Sequence, residues 1–311
     1  MPLVAKDGAG RRHFGVTQRR SRRIAAAAAA VAACCLALSL WIDARARDAA
    51  PARGVSSVLL APRPGKPGPA RPAAQPAMMS VTTSLAACEA RIKREPRRLP
   101  TVAIVGASYT AGVGPDDPAR SWAVGLARLL RWNAVIYGVP GAGYARAGSG
   151  GRGPMSRMLG QEGLPGLGPA LVIVQAGHDD AGTPAGLERQ RVRAAVDQVR
   201  AAAPAARIAL LTTFAAAPPG SPALQRTDNE IVSAGTAADR DVIVMDPLAS
   251  RWAFPHAGGG LHPTAAGDAW IARRVDAILL TRGVRPAPVT ATAPVICDVS
   301  VGVRKPAGAP A

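Results

Sequence analysis

Val102-Ala103-Ile104-Val105-Gly106-Ala107-Ser108-Tyr109-Thr110-Ala111-Gly112 is an apolar run that ends in Gly, crosses a small-residue turn and leads toward a helical pattern. A short β-rich run succeeded by a turn and a helix places the Ser108 hydroxyl at the carboxyl end of a buried strand, where open α/β sheets keep their chemistry. The stretch is not a Gly-x-Ser-x-Gly elbow, because Thr110 occupies the place of the second glycine. A serine in such a turn also serves as a plain turn or N-cap residue. Its meaning therefore depends on residues later in the chain.

Working outward, further strand-type apolar runs appear at 134–137, 171–174, 208–211 and 242–245, making five with 102–105. Helical patterns lie between them near 120–131, 185–203 and 222–239, with a last one at 264–281. Strands that are apolar throughout, rather than in alternation, imply burial on both faces. The expected fold class is thus α/β, with a five-stranded parallel sheet covered by helices on either side. Residues 139–169 are Gly-rich with little periodicity, and are expected to form a long flexible insertion beside the strand ends. No internal repeat is present.

The 311 residues carry a formal net charge of +18, unevenly spread. Residues 1–98 hold 18 Lys/Arg against 5 Asp/Glu, whereas residues 99–311 hold 20 against 15. The basic excess belongs mostly to the leader and linker, and the few aromatics are not interleaved with basic residues, so no nucleic-acid partner is expected. Residues 1–23 read as a basic cytoplasmic tail. Ile24 to Ile42 is a stretch of 19 residues without a charge, long enough as a helix to cross a bilayer core. Positive charge in front of it argues for an N-terminus inside and the remainder outside. Nine of the 19 are Ala, and Ala44-Arg45-Ala46 resembles a small-x-small cleavage site, so membrane anchor and cleaved signal peptide both stand. The expected location is extracytoplasmic in either case. Residues 43–87 are rich in Pro, Ala and Arg and read as an extended spacer. The folded domain is expected over 88–300, with a disordered C-terminal tail at 301–311.

Cys88 and Cys297 flank the regular part of the chain. In an exported protein such a pair reads as a disulfide joining the two ends, the alternative being two free thiols. Cys34 and Cys35 lie inside the apolar segment, as small lipid-facing residues.

Four blocks come after strands in chain order. Ser108 comes after the first strand, Gly138-Val139-Pro140-Gly141-Ala142-Gly143 after the second and Gln175-Ala176-Gly177-His178-Asp179-Asp180 after the third. Gly258-Gly259-Gly260-Leu261-His262-Pro263-Thr264 comes after the fifth and leads into the last helix. A Ser after the first strand and a His before the last helix can meet at one end of such a sheet. His262 could otherwise be a satisfied loop histidine, and His256 is equally a turn or a site residue. An Asp179-Asp180 metal pair has little support, with only four His in the chain and no ligand spacing, so no metal or other cofactor is expected.

These blocks resemble those of the SGNH, or GDSL-like, hydrolases, over about residues 100–282. The resemblance implies a flavodoxin-like three-layer α/β/α sandwich and ester hydrolysis through a serine nucleophile. It implies Ser108 as nucleophile, His262 as general base, and an oxyanion hole made by the N–H of Ser108, the N–H of Gly141 and the side chain at 179. Gly143 is the less favoured register for the second donor. Asp180, last in its block, is implied to be structural. A neutral imidazole activates the otherwise poor serine nucleophile, and glycines let backbone donors approach the oxyanion. The chain departs from the family pattern at three places. Ala107 replaces the Asp beside the nucleophile. Asp179 stands where the family has Asn, and an ionised carboxylate cannot donate. Gly259 stands where the family has the acid that orients the His, so a backbone carbonyl of the 256–259 turn or the side chain of Asp246 would take that role.

The expected function is an exported serine ester hydrolase with a small acyl-ester substrate on envelope or extracellular carbohydrate or lipid. Two alternatives remain at this level. One is an acyltransferase using the same Ser and His; the other is a catalytically weakened binding module of the same fold.

Overall fold

The computed structural model describes residues 85–94, 99–115, 117–161, 164–216, 220–258, 260–289 and 293–301. The expected basic tail, apolar segment, most of the spacer and the C-terminal tail from 302 lie outside the described residues, as does Gly259.

Five strands form where the apolar runs lie: β1 (Thr101–Gly106), β2 (Asn133–Gly138), β3 (Leu171–Gln175), β4 (Arg207–Leu211) and β5 (Ile243–Met245). A sixth, β6 (Ile296–Asp298), extends the sheet, and all pairings are parallel in the order β5-β4-β3-β1-β2-β6. The five-stranded expectation is thus corrected to six. Ile296-Cys297-Asp298 is too short and mixed to read as a strand, and it is held in place by context. Asn133 Oδ1 accepts the Val295 N–H at 2.9 Å, and Cys297 is bonded to Cys88, with Cα atoms 6.0 Å apart. Cys88 lies in helix α1 (Leu85–Arg94). Cys88, Ile92, Val135, Val295 and Cys297 pack together, closing the β2 edge.

Side chains on a strand alternate between faces, and each face finds its own helices. Val102, Ile104, Ile136 and Ile173 pack with Trp122, Leu126 and Leu130 of α2 (Trp122–Leu130) and with Ile271 and Val275 of the last helix (Ala265–Thr281). Ala103, Val105, Val172, Val174 and Leu210 point the other way. They meet Met158 of α3 (Met155–Gln161), Val192 and Val196 of α4 (Ala185–Ala202), and Ile231 of α5 (Pro222–Ala238). The last helix is α6. This is a three-layer α/β/α sandwich, and each fully buried Val, Leu or Ile contributes about 1.5–3 kcal/mol of transfer free energy to it.

Residues 139–169 are not the structureless insertion that their glycines suggest. They form a tight turn closed by an Ala142–Ala147 bridge, a 3-10 turn at Ser149–Gly151, α3 and a helical turn at Leu164–Leu167. Met155, Met158 and Leu159 bury this segment against the sheet and α4. Three apolar residues at helical spacing outweigh the glycines between them.

Candidate active site

The carboxyl ends of β1, β2 and β3 lie side by side, with Gly106 registered opposite both Gly138 and Gln175. The turn after β1 is locked from its neighbour. Ala107 N–H donates to the Gln175 carbonyl at 3.1 Å and to its side-chain oxygen at 3.2 Å, and Thr110 Oγ1 donates to the same Oε1 at 2.9 Å. Gln175 is buried, so these bonds form away from competing water. They hold Ser108 at the head of the turn.

His262 reaches Ser108 from the far end of the chain. Its loop is closed by Ala257 N–H to the His262 carbonyl at 2.8 Å and by Thr264 N–H to the Pro255 carbonyl at 3.0 Å. Thr264 then caps α6, its side chain accepting the Gly267 N–H at 3.2 Å. Tyr109 donates its hydroxyl to the Leu261 carbonyl and stacks on Phe214 with centroids 4.3 Å apart. The outcome is a 2.9 Å contact between His262 Nε2 and Ser108 Oγ. Burial lowers the His262 pKa, the charge of His178 lowers it further, and Asp179 opposes both. The lowering favours the neutral imidazole, whose Nε2 lies within hydrogen-bond reach of the Ser108 hydroxyl.

Two backbone donors in the turns after β1 and β2, the N–H groups of Ser108 and Gly141, carry no partner among the described residues, whereas Gly143 N–H is spent on the Arg146 carbonyl at 3.0 Å. Gly141 holds φ of 75°, a left-handed conformation that glycine adopts without cost. Asp180 fixes the loop that carries it. Its carboxylate accepts Tyr144 N–H at 2.7 Å and Ala145 N–H at 3.0 Å, and it packs so closely that a Cβ on Gly143 would lie 2.2 Å from Oδ1.

Asp179 is half-buried at the site. Burial raises its pKa, and the charges of His178, His262 and Arg146 pull it back down, in that order. His178 is oriented by the Phe214 carbonyl, 3.0 Å from Nδ1. Tyr109, Gln175 and His178 thus all support the site, although the sequence offered only block membership for Gln175 and His178 and a place beside Ser108 for Tyr109.

Other expected site residues fall elsewhere. Asp246 makes no hydrogen bond to His262; its carboxylate accepts Ala249 N–H at 2.7 Å, closing the turn after β5. A short acidic side chain at a strand end satisfies its own turn first. His256 stacks on Phe254 at 4.5 Å and pairs with Pro263 in an isolated bridge, supporting the His262 loop from behind. Among the described residues, no group of three or more His, Cys, Asp or Glu could hold a metal ion.

Comparison with known proteins bears on family and fold. Residues 104–270 match the GDSL-like Lipase/Acylhydrolase family. No curated protein matches the chain by sequence. Similar solved structures include a family two carbohydrate esterase from Clostridium thermocellum in complex with cellohexaose, at 18% identity and TM-score 0.49, covering 61% of this chain and 66% of that one. A carbohydrate esterase family 2 enzyme with a carbohydrate binding domain, from Corynascus thermopiles (Myceliophthora fergusii), is similar at 19% identity and TM-score 0.50, covering 59% and 67%. The inhibitor-bound aryl esterase of M. Smegmatis is similar at 17% identity and TM-score 0.48, covering 58% and 99%. At such identities the likeness is one of fold.

Proposed function

The chain belongs to the GDSL-like Lipase/Acylhydrolase family, and on that premise we propose that it is a carboxylic ester hydrolase whose Ser108 and His262 carry the chemistry outside the cytoplasm, on acyl esters of envelope or extracellular carbohydrate or lipid. The observation that supports this most is the 2.9 Å approach of His262 Nε2 to Ser108 Oγ, with two unspent N–H donors in the turns after β1 and β2. Ser108 Oγ attacks the acyl carbon while its proton passes to Nε2. The carbonyl π electrons move to oxygen, which the N–H groups of Ser108 and Gly141 receive. Collapse expels the alcohol, protonated by His262, and leaves an acyl-serine. Water, deprotonated by the same imidazole, then releases the acid and restores Ser108.

Extracytoplasmic action rests on residues 1–42, where a basic segment precedes an uncharged stretch. Residues 24–42 are its proposed means of membrane contact or export. Among the described residues no helix is long and apolar enough to cross a membrane. The carbohydrate reading draws on the carbohydrate esterase that shares the fold at TM-score 0.50. Asp179 favours a second reading, a weakened enzyme kept for binding, because an ionised carboxylate there opposes an oxyanion.

A fluorophosphonate probe separates these readings. Labelling of the wild type at Ser108, absent in His262→Ala, is expected of the hydrolase. An unlabelled wild type overturns the assignment and leaves the binding reading. Product analysis with and without an acceptor sugar then distinguishes hydrolysis from acyl transfer.

A further inference from the structure

The turn that presents Gly141 is rooted on Gly138, the last residue of β2. The Val139 carbonyl accepts the Ala142 N–H at 3.0 Å, with Pro140 second in the turn and Gly141 third at φ of 75°, the pattern of a type II β-turn. Proline fixes its own φ, so a displacement at the start of this turn is passed on to the Gly141 N–H. Gly138 also meets the loop of the nucleophile, since a Cβ there would lie 2.2 Å from the Ala111 nitrogen. From the other side it is held by the end of the chain.

Strand β6 pairs with β2 so that Ala134 faces Ile296, Val135 faces Cys297 and Ile136 faces Asp298. The same register, carried past the strand, sets Ser300 opposite Gly138. Ladder bonds continue with it, Val299 N–H donating to the Ile136 carbonyl and Val301 N–H to the Gly138 carbonyl, both at 2.9 Å. One bond is different. Ala134 N–H donates to the Val295 carbonyl, and at that spacing Gly138 N–H would meet the Val299 carbonyl. It donates instead to the Ser300 hydroxyl oxygen at 2.8 Å. Asp298 Oδ1 accepts the Ser300 N–H at 3.0 Å, an Asx-turn that fixes the backbone from which this hydroxyl reaches β2.

A three-residue edge strand has few ladder bonds to hold it. Here its middle residue, Cys297, is bonded to Cys88 of α1, and Val299 packs against the cluster that contains both. Val299 and Val301 pack in turn against the cluster that contains Val139 and Ala142. Residues 296–301 therefore run from a covalent anchor to the root of the Gly141 turn.

We propose that Ser300 is a positioning residue for the site: through Gly138 it places the Gly141 N–H, and the Cys88–Cys297 bond is the anchor that lets it do so. This rests on the assignment of Ser108 and His262 as the reacting pair with Gly141 as an oxyanion donor. It adds a control on that donor by a side chain 162 positions away in the chain.

The test is steady-state hydrolysis of p-nitrophenyl acetate, well below the melting temperature of every variant. Ser300→Ala is expected to lower kcat about tenfold with KM nearly unchanged, because the donor is displaced from where charge develops. Ser300→Thr keeps an Oγ and should restore most of the loss. Replacing the disulfide by Cys88→Ala with Cys297→Ala should lower kcat in the same way. Adding Ser300→Ala to that pair should cost little more, since residues on one path are not additive. Amide hydrogen exchange reads the contact without turnover: the segment 138–142 should exchange faster in Ser300→Ala and in the cysteine-free variant than in the wild type. Wild-type kcat in Ser300→Ala, wild-type exchange at 138–142, or full additivity with the cysteine replacements overturns the proposal. A wild type that does not hydrolyse the ester counts against the Ser108–His262 assignment, and the exchange comparison still decides whether Ser300 holds the turn.

Discussion

The hydroxyl of Tyr109 donates to the carbonyl oxygen of Leu261, so the side chain one position after Ser108 holds the backbone one position before His262. The same ring stacks on Phe214 and lies 5.5 Å from the His262 ring. Tyr109→Phe keeps the stack and removes only the bond. It is expected to lower kcat on an activated ester about tenfold, with KM nearly unchanged, because the loop carrying the base loses its register. Equal loss in KM and kcat, or none at all, would assign Tyr109 to packing alone.

Asp180 braces the loop that carries Gly141, accepting the Tyr144 and Ala145 N–H groups. Asp180→Ala leaves the N–H groups of Tyr144 and Ala145 without their acceptor, at a cost of about 1–3 kcal/mol for each donor that stays buried. The expected outcome is a lower Tm together with a fall in kcat of about 10² as Gly141 loses its place. Gly143→Ala should behave alike, since its Cβ would press on the same carboxylate. Full activity in either variant would detach Gly141 from the chemistry.

What is legible in the sequence divides along a physical line. Strands β1 to β4 and the helices between them are continuous apolar runs and amphipathic repeats, local signals that burial on both faces writes into composition. The approach of Ser108 and His262 is implied by block order, since successive parallel strands present their ends on one edge. The β6 strand is not legible, because three residues with an acid among them form a strand only when Asn133 and the Cys88 bond hold them against β2. The parts played by Tyr109, Gln175 and His178 are likewise set by partners 152, 68 and 36 residues away. Asp246 misleads because a place at a strand end does not bring its carboxylate to His262. Its own turn has the nearer donor.

Glu188 sits in the first turn of α4 with both carboxylate oxygens buried and without a hydrogen-bond partner among the described residues. Burial, with Asp180 and Glu230 nearby, pushes its pKa from 4.5 to about 8. Between those values the folded state keeps a proton that the unfolded chain has released, so stability falls as pH rises across the window. Glu188→Gln removes the titration. Its Tm should exceed that of the wild type by about 3 °C or more at pH 8, with the gap closing toward pH 4. Thermal melts from pH 4 to 9 provide the comparison, and a variant less stable at pH 8 would mean that the carboxylate is matched by a partner.

The bond between Cys88 and Cys297 closes a loop spanning 209 positions and clamps α1 and β6 to the β2 edge. In the chain-entropy account a loop of that length is worth up to about 5 kcal/mol. Cys297→Ser should lower Tm clearly under oxidising conditions and match the wild type under reducing ones. Mass spectrometry of the protein purified under oxidising conditions finding both thiols open to alkylation without reductant would defeat the prediction.

By the family resemblance, Asp179 stands where an amide side chain is expected to donate to the oxyanion. Only its protonated form can donate, and that form is lost as pH rises through a pKa which burial has lifted above 3.8. His262 makes the opposite demand, since it must be neutral to act as base. Its pKa lies below 6.5, so it is competent from mildly acidic pH upward. The two shifts bring the demands toward overlap, and wild-type kcat/KM should peak on the acidic side of neutrality and decline above it. Asp179→Asn supplies the donor at every pH. It should abolish the alkaline decline, and at pH 8 raise kcat/KM on p-nitrophenyl acetate by up to the roughly 10²-fold that one oxyanion donor provides. Activity unchanged or lower across pH 5–9 would show that Asp179 serves another purpose, such as holding His178 and His262 apart in charge.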